Sequence, residues 1–239
     1  MSCILNIETS TSVCSVALSM DGEVLFAKAS FDGPSHAALL GVFVEEALSV
    51  LKKKGKKALD AVAVSSGPGS YTGLRIGVSV AKGLCFGFGI PLIGIHTLDI
   101  MAATVNSKGD SQIVSITDDC LYCAMLDARR MEVYAAIYDA SLKPVRETKA
   151  DIVEVGTYAS YLEKGKVCFF GNGATKCKPV ITSPNALFIE DVHPLAVNMI
   201  PLAEQAFATG KFEDTAYFEP FYLKEFQATV AKNKVLLAR

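Results

Sequence analysis

The fold is read from Cys3-Ile-Leu-Asn-Ile-Glu-Thr-Ser-Thr-Ser12, Val13-Cys-Ser-Val-Ala-Leu-Ser-Met20, Asp21-Gly22 and Glu23-Val-Leu-Phe-Ala-Lys-Ala-Ser-Phe31. The apolar run Cys3–Ile7 predicts a strand that ends in a hydroxyl-rich corner, Glu8 to Ser12. The next run reverses at Asp21-Gly22, a strong two-residue hairpin signal. Moving outward, Ser35 to Lys54 predicts a helix with Ser35 as N-cap and Lys52, Lys53 and Lys54 favouring its C-terminal end. Asp60 to Ser65 reads as a short strand and Gly73 to Phe88 as a second helix after a glycine-rich turn. Pro91 to Ile95 reads as a further strand.

A similar order returns downstream. Leu121–Asp127, Glu132–Asp139 and Pro144–Lys149 read as strands, Ile152–Glu163 as a weak helix, and Lys166–Phe170 as a strand closed by Gly171-Asn172-Gly173. A strand over Ala186–Ile189 and a helix over Pro194–Thr209 complete it. The repeat lies in element order, not in residues. The expectation is an α/β protein of two lobes, 1–105 and 106–239, each an RNase H-like mixed sheet with helices. The break is expected in Val105 to Asp110, with the C-terminal segment free to pack back on the first lobe. Such a pair of hairpin-led lobes is the architecture of the actin, Hsp70 and sugar-kinase (ASKHA) class.

Of the 239 residues 51% are hydrophobic and 20% charged, which excludes intrinsic disorder. Lys+Arg number 23 against 25 Asp+Glu, a net charge of −2, so autonomous nucleic-acid binding is disfavoured. Cysteines number 7, an odd count scattered along the chain. No charged segment precedes the first apolar run, and the charge-free stretch Gly83 to Leu98 is broken by Gly87, Gly89, Pro91 and Gly94. The expected location is therefore cytoplasmic, with no membrane span and reduced, buried thiols.

Common catalytic signatures are missing: no P-loop, no Gly-x-Ser-x-Gly elbow and no His-Glu-x-x-His helix. The histidines, His36, His96 and His193, are too scattered to suggest a zinc site. Cys120 and Cys123 resemble half a metal knuckle, but no second pair follows at similar spacing, so no metal is expected. The corner Glu8, Thr9, Ser10 and Thr11, with Gly67 and Gly69 of the glycine-rich turn, suits either a phosphate cradle or a locally bonded turn. Asp127-Ala-Arg-Arg130 suits an anion contact or a solvated turn. The helix Gly73–Phe88 is apolar nearly all round, with glycines four apart, and the helix before it carries two apolar stripes. That pattern fits a surface docking another chain through Leu40, Phe43, Ala47, Leu74, Gly77, Val80, Ala81 and Leu84, or equally burial within the chain's own fold.

Ile4-Leu-Asn-Ile-Glu-Thr-Ser-Thr11, Cys14-Ser-Val-Ala-Leu18, Gly67-Pro-Gly-Ser-Tyr-Thr-Gly-Leu-Arg-Ile-Gly77, Ala81-Lys-Gly83 and Asp127-Ala-Arg-Arg-Met-Glu-Val-Tyr134 together resemble the TsaB (YeaZ) family, relatives of the M22 glycoprotease-like proteins. The resemblance implies the two-lobed ASKHA fold and a non-catalytic scaffold role in forming threonylcarbamoyladenosine in tRNA. It implies the catalytic paralogue TsaD and the ATPase TsaE as partners, a homodimer when alone, and tRNA reached only through the complex. No intrinsic cofactor is implied, with ATP or ADP bound weakly or at the partner interface. The metal-binding His-x3-His of TsaD is missing, since Ile100 stands four residues after His96. Glu8 stands where many relatives carry the shorter Asp, which puts nucleotide binding at the corner in question. An independent ATP-using or peptidase-like enzyme is the alternative.

Overall fold

Asp21 and Gly22 both take positive φ, 50° and 82°, the twist that a two-residue hairpin turn demands. They join β2 (Cys14–Met20) to β3 (Glu23–Ser30), antiparallel from Cys14 opposite Ser30 to Met20 opposite Glu23. Strand β1 (Cys3–Glu8) pairs antiparallel with β2 and parallel with β4 (Ala61–Gly67), and β5 (Leu92–His96) extends the parallel side. The order is β3-β2-β1-β4-β5. This computed structural model describes residues 2–33, 35–55, 58–107 and 120–223.

The second sheet comprises β6 (Leu121–Asp127), β7 (Glu132–Tyr138), β8 (Pro144–Ile152), β9 (Val167–Phe170) and β10 (Ala186–Ile189), in the order β10-β9-β6-β7-β8. Counted within its own half, that is again third, second, first, fourth, fifth, with the same antiparallel and parallel pairings. The repeat expected from element order is thus a repeat of topology.

Helices α1 (His36–Lys53) and α2 (Tyr71–Phe88) cover one face of the first sheet, burying Leu5, Ile7, Val16, Val62 and Val64. The other face, Ile4, Ala17, Ala61, Ala63 and Ile93, is covered from the far end of the chain. A 3-10 turn (Ala196–Met199) and α6 (Ile200–Ala208) lay Met199, Ile200 and Ala203 on it. Ser15 Oγ accepts the Ala196 N–H at 2.9 Å, and Glu204 accepts from Ser2 Oγ at 2.6 Å. Further on, the Glu213 N–H donates to the Leu92 carbonyl at 2.8 Å. Helix α3 (Thr97–Ser107) makes the reverse exchange. It leaves the first sheet and packs Leu98, Met101, Ala102 and Val105 on Ala124, Leu126, Ala136 and Phe170 of the second. The outer face of that sheet is closed by α4 (Ala159–Leu162) and α5 (Ala174–Cys177) around Tyr158 and Phe169.

Several elements differ from the sequence reading, among them α5, which was not expected, and the helix expected over Pro194–Thr209, which is a 3-10 turn followed by α6. The helix expected over Ile152–Glu163 shrinks to Ala159–Leu162, because β8 continues to Ile152 and Gly156 turns the chain at φ 89°. Helix α2 starts at Tyr71, capped where Ser70 Oγ accepts the Gly73 N–H at 3.3 Å. Helix α3 was not expected. The predicted break Val105–Asp110 runs into 108–119, which lies outside the described residues.

Candidate functional site

The helical pair presents two different surfaces. Of the docking residues expected from the sequence, Leu40, Phe43, Ala47, Leu74, Gly77 and Ala81 are buried in the chain's own core, so they cannot line a free surface. The physical reason is the sheet beneath: these positions form the stripe that seals β1, β2 and β4. Val80 and Leu84 are half-buried at its margin. Gly73 and Gly77 face inward for the same reason. A Cβ on Gly73 would collide with the Thr9 carbonyl, and one on Gly77 with Thr9 Oγ1. Thr9 Oγ1 itself donates to the Gly73 carbonyl at 2.8 Å, locking α2 to the end of β1.

The outward side is different. Gly41 on α1 and Gly83 and Gly87 on α2 look into open space, with nothing within 4 Å of an added Cβ. Around them lie the exposed Ala37, Ala38, Val42 and Ser79, with Phe86 87% and Phe88 52% exposed. Lys82 turns aside and donates to the Ala216 and Phe218 carbonyls at 3.1 and 3.0 Å. The face is therefore small, apolar and uncharged over most of α2, apart from Arg75 near its start, where Tyr71 OH accepts from the guanidinium at 2.5 Å.

The corner residues do come together, at the C-terminal ends of β1 and β4, but as a closed knot. Glu8, Thr9, Ser10 and Thr11 are all buried. The Ser10 N–H donates to Glu8 Oε1 at 2.5 Å, the Val13 N–H to Thr11 Oγ1 at 3.2 Å, and the Ser70 N–H to the Ser10 carbonyl at 2.6 Å. The backbone N–H groups of Ser10, Val13 and Ser70, which an anion cradle would use, are already engaged within the corner. Gly69 packs against Ser10, and Gly67 packs under the Phe221 carbonyl, which a Cβ would meet at 2.7 Å. Burial pushes the Glu8 carboxyl up to about 7 against the lowering effect of its Ser10 and Ser65 hydrogen bonds, and Oε2 has no partner. Gly77 and Gly69 thus serve close packing on Thr9 and Ser10, and Gly67 on Phe221, which favours own-fold burial and a locally bonded turn over docking and a phosphate cradle at these positions.

The equivalent corner of the second half is solvated. Arg129 and Arg130 are exposed at positive φ, 70° and 49°. Asn172 Oδ1 accepts the Asp127 N–H at 2.9 Å, and Lys176 pairs with Asp127. A cleft of about 420 Å³ lies between α3 and β7–β8, lined by His96, Asp99, Tyr138, Glu147 and Phe221 among others, and by none of the corner residues. Tyr138 OH donates to Asp99 at 2.6 Å within it. Sequence reading missed this cleft because α3, which carries Asp99, was itself missed. Among the described residues no three His, Cys, Asp or Glu side chains converge as a metal site, and no helix is long and apolar enough to cross a membrane.

Two sheets of identical strand order, each led by a hairpin and flanked by helices, define an α/β protein of the two-lobed actin, Hsp70 and sugar-kinase class. The chain is 33% identical over 232 residues to the Escherichia coli K12 protein "tRNA threonylcarbamoyladenosine biosynthesis protein TsaB", spanning 92% of this chain and 94% of that one. It belongs to the TsaB (YeaZ) family. The family model described as TsaD, tRNA N6-adenosine threonylcarbamoyltransferase, matches residues 32–232. Among solved structures, "YeaZ from Pseudomonas aeruginosa" superposes with a TM-score of 0.73 at 27% identity, covering 93% of this chain and 100% of that one. A protein titled as having similarity to peptidase YEAZ, also from Pseudomonas aeruginosa, gives 0.78 at 26% identity, covering 94% and 100%.

Proposed function

We propose that this chain is a non-catalytic subunit that docks the threonylcarbamoyltransferase TsaD through the outer face of α1 and α2, with TsaE joining the pair. Family membership gives the chain a role in tRNA threonylcarbamoyladenosine biosynthesis. The observation carrying the docking role is the placement of Gly41, Gly83 and Gly87 over open space, the first two in helix interiors and Gly87 in the last turn of α2. Gly41 and Gly83 each cost about 0.5–1 kcal/mol of helix stability relative to Ala, with no packing gain inside the chain to offset it. A helix from another chain, brought close against backbone, supplies such a gain. In the absence of TsaD the same face pairs with its copy, since matching patches close a symmetric dimer. Nucleotide in the assembly sits on the partners or at their interface, because Glu8 to Thr11 are buried and the Ser10, Val13 and Ser70 N–H groups are bonded within the corner. Transfer chemistry also belongs to the partner, and tRNA is met through the complex.

Reconstitution tests this. The purified chain alone should form no threonylcarbamoyladenosine and should hydrolyse neither ATP nor peptide. Product should appear when TsaD, TsaE, ATP, threonylcarbamoyl-adenylate and tRNA are added, and should be lost when the chain is left out. Product from the isolated chain would favour the independent-enzyme reading instead. A second expectation follows from the helix glycines. Gly83→Ala should raise the stability of the free monomer by about 0.5–1 kcal/mol, read as a higher denaturant midpoint at unchanged slope. A drop would mean that Gly83 is packed after all.

A further inference from the structure

Cysteines 120 and 168 meet across the second sheet. Their Sγ atoms are 3.1 Å apart, both side chains are buried, and both are free thiols. The gap exceeds a disulfide bond by about 1 Å, within the reach of a small rotation about each Cα–Cβ bond. We propose that Cys120 and Cys168 are an oxidation site that closes reversibly to a disulfide on reaction with a low-molecular-weight disulfide.

Access comes at the strand end. Cys120 lies one residue ahead of β6, whose first paired residue is Leu121, opposite Val167. Fraying at that end exposes the Cys120 sulfur without opening the sheet. Cys120 is also the better nucleophile of the two. The contact with the Cys168 thiol holds the Cys120 thiol below the ordinary range against the effect of burial, and the Cys168 backbone N–H and Lys166 add to it. The same contact, with burial, holds Cys168 up.

The exchange balances in two steps. The Cys120 thiolate attacks one sulfur of the small disulfide, whose S–S bond breaks to release one thiol and leave a mixed disulfide on Cys120. Cys168 loses its proton to solvent and attacks the Cys120 sulfur, releasing the second thiol. Two protein thiols are oxidised and one small disulfide is reduced. The link ties β9 to the start of β6 across a separation of 48 residues, which constrains the unfolded chain and stabilises the fold.

The test is to incubate the full, folded chain with oxidised glutathione, block remaining thiols, unfold, and map peptides by mass without reduction. One cross-linked pair joining Cys120 and Cys168 is expected, abolished by reductant and accompanied by a higher melting midpoint. Cys123 and Cys177 should be recovered as unlinked thiols. Cys168→Ser should stop at the glutathione adduct on Cys120, and Cys120→Ser should give neither product. Both cysteines recovered unmodified, a link that forms only in denaturant, or a link between other cysteines would each overturn the proposal. The wild-type map decides the question even where a variant fails to fold.

Discussion

Gly83→Arg should leave the chain folded while abolishing both its self-association and its capture by TsaD, whereas Gly77→Arg should fail to fold. The two glycines share one helix and differ in what lies over them. Gly83 faces nothing within 4 Å, so an arginine there extends into water in the monomer. In a complex the same arginine is covered without a partner for its charge, at a cost of about 2–4 kcal/mol, or ~30-fold or more in affinity. Gly77 lies against Thr9 Oγ1, which is itself buried and bonded to the Gly73 carbonyl. Any side chain there separates α2 from β1 and strands a charge in the core, a loss of about 4 kcal/mol or more. That is a large part of the ~5–15 kcal/mol by which a domain is stable. Light scattering and pull-down read the first effect, and circular dichroism the second. A folded Gly83→Arg variant that still forms both assemblies would move the interface away from α2. A folded Gly77→Arg variant would mean that α2 is not seated on Thr9.

The second large effect is a pH dependence set by Glu8. Its carboxyl titrates from 4.5 ordinarily to about 7 in the fold, chiefly because it is fully buried. A raised acid means that the folded state binds the proton more tightly than the unfolded one. Stability from this group is therefore full below pH 4.5, falls as pH rises towards about 7, and is flat above that. Glu8→Gln keeps an oxygen to accept the Ser10 N–H and carries no charge at any pH. The variant should match wild type near pH 4.5 and exceed it by about 3 kcal/mol at pH 8. Urea unfolding of both proteins across that range checks it. A difference that stays constant with pH would show that Glu8 does not change protonation in the fold.

The strands and their succession along the chain were legible because local signals point the same way: apolar runs of strand length, Asp21-Gly22 at a hairpin, and Gly171-Asn172-Gly173 after β9. Helix α3 was not, since Thr97, Thr104 and Val105 weaken helix propensity and its apolar residues divide between two sheets. The helical face was legible only in part. Spacing of four marks Gly73 and Gly77 just as it marks Gly83 and Gly87, and the inward pair is set apart by Thr9, a residue far away in the chain. Hydrophobic stripes likewise mark Leu40, Phe43 and Leu74 without saying whether a sheet or a partner covers them. The choice between a phosphate cradle and a locally bonded turn stayed open because Ser70 and Phe221, which shut the corner, are remote from Glu8 in sequence. The contact between Cys120 and Cys168 depends on β6–β9 register, which no local pattern encodes.

The exchange of helices between the two sheets has a consequence for synthesis on the ribosome. When the first five strands have emerged, Ile4, Ala17, Ala61, Ala63 and Ile93 present a bare apolar face, because Met199, Ile200 and Ala203 have yet to be translated. Helix α3 is at that stage equally without its cover, since Ala124, Leu126, Ala136 and Phe170 come later. The nascent first half is thus a sticky intermediate for most of the chain's elongation, a natural client for a holding chaperone. Messages truncated before codon 196 should yield insoluble product, although they encode an entire sheet and both α1 and α2.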